Sequence, residues 1–422
     1  MSNCRIVVTG LGAVSGNGLN VPNIWLNLSR GIASRVEITP EYYFDVHKFE
    51  RACRNPKEGI ITTVCGVPLK NEEIAKLLAI DNAGRYDRHQ LFGLLAGHEA
   101  MSDSGLIEHT FPERFGCVVA TGDGGLNESF QASELLIEGG RLTPHSNLRH
   151  LPSIFGSWLA REYRLCGPSH VHATACAASA HAIIHACDLI KLGRADAILC
   201  GGTEATITPL GIASFCAQRA ISNHSRPYQK ERSGFLMGEG SAMLVVEEYE
   251  HAISRGAFIY AEIAGYGATT DGDPSCSITE PRIQGGINSA KLALEMGGIQ
   301  AKSVGYINTH GTGTTIGDIA ELTGIQSWID HSTIPLVSST KSYSGHLLGA
   351  AGAYEALLTI TMMLRKIILP THELTRENMD PACNNSKPIL FFDVKAREIE
   401  YALSNSFGFG GTNASILFRT IS

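Results

Sequence analysis

Ala173-Thr174-Ala175-Cys176-Ala177-Ala178-Ser179-Ala180 is a run of small residues with a cysteine at its centre. Before it, Val171–Ala173 reads as a strand; from Cys176 to Leu192 the chain reads as a helix of 17 residues. At the standard rise such a helix is about 25 Å long. A strand that passes into a helix through side chains this small leaves the thiol open to a substrate. At a helix start the thiol meets unpaired N–H groups and the positive end of the dipole, which favour thiolate and can lower a pKa of about 8.5. The same N–H groups can hold the oxyanion of a thioester under attack. The plainer reading is a packing cysteine in a small-residue helix.

Strand and helix alternate outward from this point. Strand-like runs recur at Arg5–Gly10, Phe115–Ala120, Ala197–Cys200, Ala242–Glu247, Ser303–Asn308, Leu336–Ser339 and Ala414–Phe418. Helix-like runs lie between them at His89–Ser104, Gly285–Met296 and Gly349–Met363. The pattern predicts α/β layers. Tyr249–Arg255 reads as a helix that Gly256 ends, and Ile259–Tyr266 as a new strand. A division there gives two α/β halves, residues 1–256 and 257–422, although no sequence repeat is visible between them.

Composition narrows the function classes. The 422 residues are 44% hydrophobic and 18% charged, enough apolar material for a large core. A net charge of −7 argues against a nucleic-acid partner, while a local basic patch can still receive an acidic one. No signal peptide and no run of about 18 apolar residues is visible, so the expectation is a soluble, cytoplasmic chain with no membrane association. The 11 cysteines are odd in number and form no CxxC pair, which argues against a disulfide framework or structural zinc. Cys187, Cys200 and Cys216 read as core filler.

Two histidines stand in settings like that of the cysteine. His310 follows a strand-like run in Asn308-Thr309-His310-Gly311-Thr312-Gly313-Thr314, and His346 precedes a small-residue helix start in Gly345-His346-Leu347-Leu348-Gly349. Each alone reads as a core histidine; together with Cys176 they point to thiol-based acyl transfer. His181 and His185, four apart on the cysteine helix, have zinc-ligand spacing. Ala182 stands where a metalloprotease glutamate would be, so these read as packing histidines and no metal is expected.

The ordered motifs resemble the elongating β-ketoacyl-[acyl-carrier-protein] synthases over nearly the whole chain. They run from Val7-Val8-Thr9-Gly10-Leu11-Gly12 through Ala173-Thr174-Ala175-Cys176, Gly201-Gly202-Thr203-Glu204, Gly238-Glu239-Gly240 and Ser339-Thr340-Lys341-Ser342 to Asn405-Ser406-Phe407-Gly408-Phe409-Gly410-Gly411-Thr412-Asn413. The resemblance implies a thiolase fold, a duplicated five-layer α-β-α-β-α body, and a dimer. It makes Cys176 the acylated nucleophile and gives His310 and His346 the decarboxylation of a malonyl unit. Lys341 supports the second histidine, and Glu321 belongs to the polar network behind that lysine. Phe407 is the gate beside the cysteine, Phe409 supplies an oxyanion N–H, and Thr312 and Thr314 contact the pantetheine arm. Substrates arrive on the phosphopantetheine of an acyl carrier protein, with no other cofactor. Arg219 is the matching docking cation, and Arg85, Arg88 and Arg141 are further candidates.

Three stretches depart from the fatty-acid pattern. Asp123, in Thr121-Gly122-Asp123-Gly124-Gly125, stands where an apolar residue usually faces the acyl pocket; Gln229 and Ser233 stand where aspartates are common; and Asp271-Gly272-Asp273-Pro274-Ser275-Cys276 replaces a stretch that often carries histidine. A carboxylate beside an alkyl tail is costly to bury. These departures favour a specialised type II polyketide or polyene pathway over bulk fatty-acid elongation. The active ketosynthase subunit there is a homodimer or pairs with a chain-length-factor-like homologue. A thiolase would place a second cysteine near Phe407–Gly411, where none stands, and a non-catalytic chain-length partner would lack Cys176.

Overall fold

Ten strands, the central ones buried on both faces, form the main sheet of the computed structural model, which describes residues 4–274, 282–330, 332–384 and 389–421. In chain order they are Ile6–Ser15 (β1), Phe115–Ala120 (β2), Ser169–His172 (β3), Ala197–Glu204 (β4), Gly240–Glu248 (β5), Ala261–Thr270 (β6), Val304–Asn308 (β7), Leu336–Ser338 (β8), Tyr401–Gly408 (β9) and Thr412–Arg419 (β10). They join in the order β8-β7-β9-β10-β6-β1-β5-β4-β2-β3. The first leaf is β1-β5-β4-β2-β3 and the second β6-β10-β9-β7-β8, the same permutation of chain order in each. Strand senses match as well. β1–β5 and β5–β4 are antiparallel while β4–β2 and β2–β3 are parallel. In the second leaf β6–β10 and β10–β9 are antiparallel, and β9–β7 and β7–β8 parallel. A short antiparallel pairing, Val7 with Glu262 and Val8 with Ala261, joins the leaves.

The helices fill three layers: Arg88–Asp103 (α1), Pro152–Glu162 (α2), Ala178–Lys191 (α3), Ile283–Met296 (α4), Gly317–Trp328 (α5) and Ala351–Arg365 (α6). Alternation along β2 shows the layering, since successive strand side chains point to opposite faces. Val118 and Ala120 face a central core with Ile183 of α3 and Leu357 of α6, which Ile416 and Phe418 of the other leaf close. Phe115, Cys117 and Val119 face α1 and α2 instead. On the far side, Leu294 of α4 and Ile325 of α5 pack against Leu403 and Leu417. The result is the five-layer α-β-α-β-α body of the thiolase fold. Cys187, Cys200 and Cys216 are buried as expected. Among the described residues no helix is long and apolar enough to cross a membrane.

Two helix starts differ from the sequence expectation. α3 begins at Ala178 rather than Cys176, after a 3-10 turn over Ala175–Ala177 in which Ala175 has φ +48°. α6 begins at Ala351 rather than Gly349, after a 3-10 turn over Leu348–Ala350 in which Leu348 also has φ +48°. A left-handed residue cannot continue a right-handed helix, so each helix starts beyond it. The duplication therefore puts Cys176 and Gly349 at equivalent places. Of the unusual stretch 271–276, Ser275 and Cys276 lie outside the described residues.

Candidate active site

The ends of both leaves bring the reactive groups together. Cys176, from the turn after β3, borders a cavity of about 540 Å³ that His310, His346, Phe407 and Phe409 also line. His310 follows β7 after a single residue, Thr309. His346 follows Gly345, whose φ of +65° and whose approach to the Leu236 carbonyl leave no room for a side chain. The two imidazoles stand edge to face with ring centres 5.4 Å apart, and the Phe407 ring lies 5.8 Å from that of His310. Thr312 and Thr314 line the same cavity, their hydroxyl oxygens 3.3 Å apart.

Burial sets the protonation states. It pushes the Cys176 thiol up to about 12, against the Lys341 cation and the Phe409 backbone N–H, both of which pull it down. This corrects the expectation of a thiol activated by its helix start: desolvation in the closed turn outweighs the N–H groups. Phe409 does place its N–H at the sulfur. Both histidines are held well below the ordinary value, first by burial and then by Lys341. They are neutral at neutral pH.

Lys341 is buried behind His310, with Nζ 3.5 Å from His310 Nδ1. A donor there keeps the His310 proton on Nε2. The expectation that Lys341 supports His346 is thus corrected: the lysine contacts His310, and neither His346 ring nitrogen has a hydrogen-bond partner among the described residues. The carboxylate that pairs with Lys341 is Glu355 of α6. Burial raises the Glu355 carboxyl to about 7 while Lys341 draws it down. The sequence reading did not single out Glu355, although a lone acid in the apolar run Ala351–Met363 was the signal. Against burial, which raises its carboxyl, Glu321 lies close enough for the Lys341 cation to draw it down, and it also accepts the N–H groups of His310 and Gly311, each at 2.8 Å, and the Asn405 amide at 3.3 Å. It fixes the backbone that carries His310.

A second buried acid escaped notice. Glu204, at the end of β4, accepts the N–H of Gly122 at 2.7 Å, of Gly349 at 3.0 Å and of Asp123 at 3.4 Å. It ties the Asp123 loop to the turn after His346. Burial and then Asp123 raise its pKa. Asp123 does not border the cavity and is exposed in the single chain, yet enough protein surrounds it that desolvation raises its carboxyl. Both acids lie close enough to Cys176 to push the thiol upward.

The remaining candidates separate clearly. Arg219 is exposed on the cavity rim. Arg85 and Arg141 are exposed but do not border the cavity. Arg88 is corrected as a docking cation: it is buried, and Glu239 accepts its Nε at 2.9 Å and its terminal nitrogen at 2.7 Å. His181 bonds the Thr174 hydroxyl at 2.8 Å and the Asn413 carbonyl at 3.3 Å, steadying the cysteine turn. His185 bonds His172 at 2.9 Å.

Residues 3–252 match the N-terminal domain of β-ketoacyl synthases, and residues 260–375 the C-terminal domain. The 3-oxoacyl-[acyl-carrier-protein] synthase 2 of Vibrio cholerae serotype O1 is 36% identical over 437 residues, covering 99% of this chain and 100% of that one. The ishigamide ketosynthase/chain length factor aligns with a TM-score of 0.86 at 28% identity, over 99% of this chain and 100% of the other. The type II polyketide ketosynthase AntDE, in complex with its acyl-carrier protein AntF, aligns with a TM-score of 0.83 at 28% identity, again over 99% and 100%. With both domain models matched in order and a relative similar from end to end, the chain belongs to the β-ketoacyl synthase family of condensing acyltransferases.

Proposed function

We propose that the protein catalyses decarboxylative Claisen condensation between an acyl group held on Cys176 and a malonyl unit on acyl carrier protein. One observation carries this reading: a thiol and two neutral imidazoles share one cavity. The acyl group moves from the carrier thiol to Cys176, and the Cys176 proton leaves with the departing carrier thiol. The malonyl C–C bond then breaks, CO2 departs, and the electron pair passes to an enolate. His310 donates Nε2–H to the enolate oxygen, and His346 supplies the second hydrogen bond. Neutral donors suit this step, because the charge appears only after CO2 leaves. The carbanion attacks the thioester carbon, the Phe409 N–H holds the tetrahedral oxyanion with the Cys176 N–H, and the C–S bond breaks to return Cys176. Thr312 and Thr314 hold the pantetheine arm. The enzyme acts in the cytoplasm without a resident cofactor. Residues 1–256 supply the nucleophile and 257–422 both histidines.

Cys176→Ala will abolish acyl loading while the fold survives. Cys176→Gln, whose amide mimics an acylated cysteine, will retain malonyl decarboxylation. His310→Ala and His346→Ala will lose CO2 release more than self-acylation. Intact mass and CO2 release check all four; normal adducts on Cys176→Ala would move the nucleophile elsewhere.

The pathway reading rests on Asp123. Asp123 is not in the cavity lining, which corrects its expected place in the pocket; it and Glu204 act on the Cys176 thiol, and an acyl tail running past this pair would be polar or unsaturated rather than long and saturated. This supports a type II polyketide or polyene role as the active ketosynthase; the 36% identity to synthase 2 enzymes favours fatty-acid elongation as the second reading. Asp123→Ile will improve loading of medium saturated acyl groups. Competition between saturated and polyunsaturated acyl carriers measures this, and equal preferences in both proteins would remove Asp123 from selection.

A further inference from the structure

Tyr228 is fully buried, and its backbone has φ +67°. Glycine visits that left-handed region freely, but a bulky residue there is an outlier. Such a residue persists only where its surroundings over-determine it. Here every polar group of the tyrosine is engaged. Its N–H donates to Asp318 of α5 at 2.8 Å, and the other oxygen of that carboxylate accepts the Gly313 N–H at 3.0 Å. Its carbonyl accepts the Asp380 N–H at 2.8 Å. Its hydroxyl bonds the hydroxyl of Thr309, the residue before His310. The neighbouring Arg232 fastens the same segment, pairing with Asp380 at 2.6 Å and donating to the carbonyls of Thr314 and Thr315, each at 3.2 Å.

The direction of the hydroxyl bond follows from its neighbours. Thr309 donates its hydroxyl proton to the Ser338 carbonyl at 3.1 Å, and its N–H to the same carbonyl at 3.0 Å. With that proton committed, the Thr309 oxygen accepts and the tyrosine donates. A phenylalanine would fill the same space, and a hydroxyl buried without a partner is costly. The hydroxyl therefore adds a specific tie, from the tyrosine segment to the His310 loop and through Thr309 to the end of β8. A Cβ on Gly311 would collide with the tyrosine oxygen, so the peptide that carries His310 lies close against it. The Ser339 hydroxyl donates to the Gly311 carbonyl at 2.6 Å. Ser339 and Thr340 lead from β8 straight into Lys341, whose Nζ stands 3.5 Å from His310 Nδ1. Thr309 on Ser338 and Gly311 on Ser339 thus set the spacing between His310 and Lys341.

We propose that Tyr228 is a positioning residue for malonyl decarboxylation: its hydroxyl holds the His310 loop against the segment that carries Lys341, so that Nε2–H of His310 stays aimed at the enolate oxygen. The inference rests on the reading that His310 serves that enolate. Tyr228 does not touch the reacting atoms and acts through Thr309. The titratable groups facing the His310 ring are Lys341 and His346, while Glu321 holds its N–H. Burial and then Lys341 keep the imidazole neutral. With the lysine less firmly placed, the histidine takes up a proton at higher pH, and a charged imidazole at Lys341 no longer has the tautomer that the step uses.

The experiment measures CO2 release from malonyl-carrier protein by Cys176→Gln, with and without Tyr228→Phe, across the acid and neutral range. Acyl loading of Cys176 is measured in Tyr228→Phe alone. Loss of the hydroxyl is expected to lower CO2 release about fivefold, the worth of one neutral hydrogen bond, and to lower loading far less. The acid limb of CO2 release will move to higher pH, which a mere loss of folded protein would not do. Thr309→Val breaks the same bond from its other side and decides the matter if Tyr228→Phe does not fold. The two changes together will cost no more than the worse of them, because they remove one interaction. Thr309→Ser, which keeps the hydroxyl, will restore most of what Thr309→Val loses. Unaltered CO2 release and an unmoved acid limb in Tyr228→Phe and Thr309→Val would overturn the inference and leave the condensation reading intact. An equal fall in loading and CO2 release with the limb in place would make the hydroxyl structural only and overturn the positioning role. No CO2 release from Cys176→Gln itself would instead overturn the condensation reading, and this inference with it.

Discussion

Cys176 and Gly349 occupy equivalent turns, each after a residue at φ +48°, yet only one carries chemistry. Glycine at 349 is required because a Cβ there would lie 2.2 Å from the Gly122 nitrogen and 2.6 Å from Glu204. The second turn thus closes the floor of the site while the first presents the thiol. That thiol is buried with two acids nearby, and its pKa is raised to about 12. A raised thiol pKa means little thiolate at neutral pH, and the fraction grows as pH climbs toward the folded value. Alkylation of Cys176 by iodoacetamide will therefore rise about tenfold per pH unit from pH 7 to about pH 10 without a plateau. A plateau near pH 8 would show an activated thiolate in the resting enzyme.

At the scale of elements, α3 and α6 carry the design. Both lie between the leaves, and both begin with small residues, Ala178-Ser179-Ala180 and Ala351-Gly352-Ala353, because two backbones must approach there. A Cβ on Gly352 would stand 2.8 Å from the Cβ and the nitrogen of Ala180 and 2.9 Å from the Ser406 hydroxyl. Gly352→Val will therefore destabilise the protein by about 1–3 kcal/mol through overpacking, read as a lower denaturant midpoint. The same contact sets the distance between Cys176, just before α3, and the His346 turn, just before α6. Loading activity will fall with stability in this variant; a midpoint equal to that of the wild type would show that the helices can separate freely.

The whole molecule leaves two features open. Strand β3 ends the sheet order, so one of its edges has no strand neighbour among the described residues. The helix Leu126–Ile137 exposes Leu136 at 55% and Ile137 at 87%. An open strand edge and an apolar row are both surfaces that proteins normally cover. The expected species in solution is a dimer of twice the 45.3 kDa chain, alone or with a homologous partner. Sedimentation will show it, and Ile137→Lys will shift the mass toward the monomer. A wild-type monomer at micromolar concentration would mean that these surfaces stay uncovered.

Much of this was legible in the chain. Alternating strand and helix runs announced the α/β layers, because periodicity is a local property. Small residues around Cys176, His310 and His346 marked the reacting groups, since close approach of backbone or substrate demands small neighbours. Other features depend on groups far apart in sequence. The pairing of Lys341 with Glu355 and the tie of Glu204 to Gly122 and Gly349 needed the two leaves to close. So did the burial of Arg88 against Glu239. Burial also decided protonation, raising the thiol that its local setting alone would have lowered. Sequence determined which groups can react; the tertiary structure decided their charge and their partners, because desolvation and ion pairing depend on what surrounds a side chain in space.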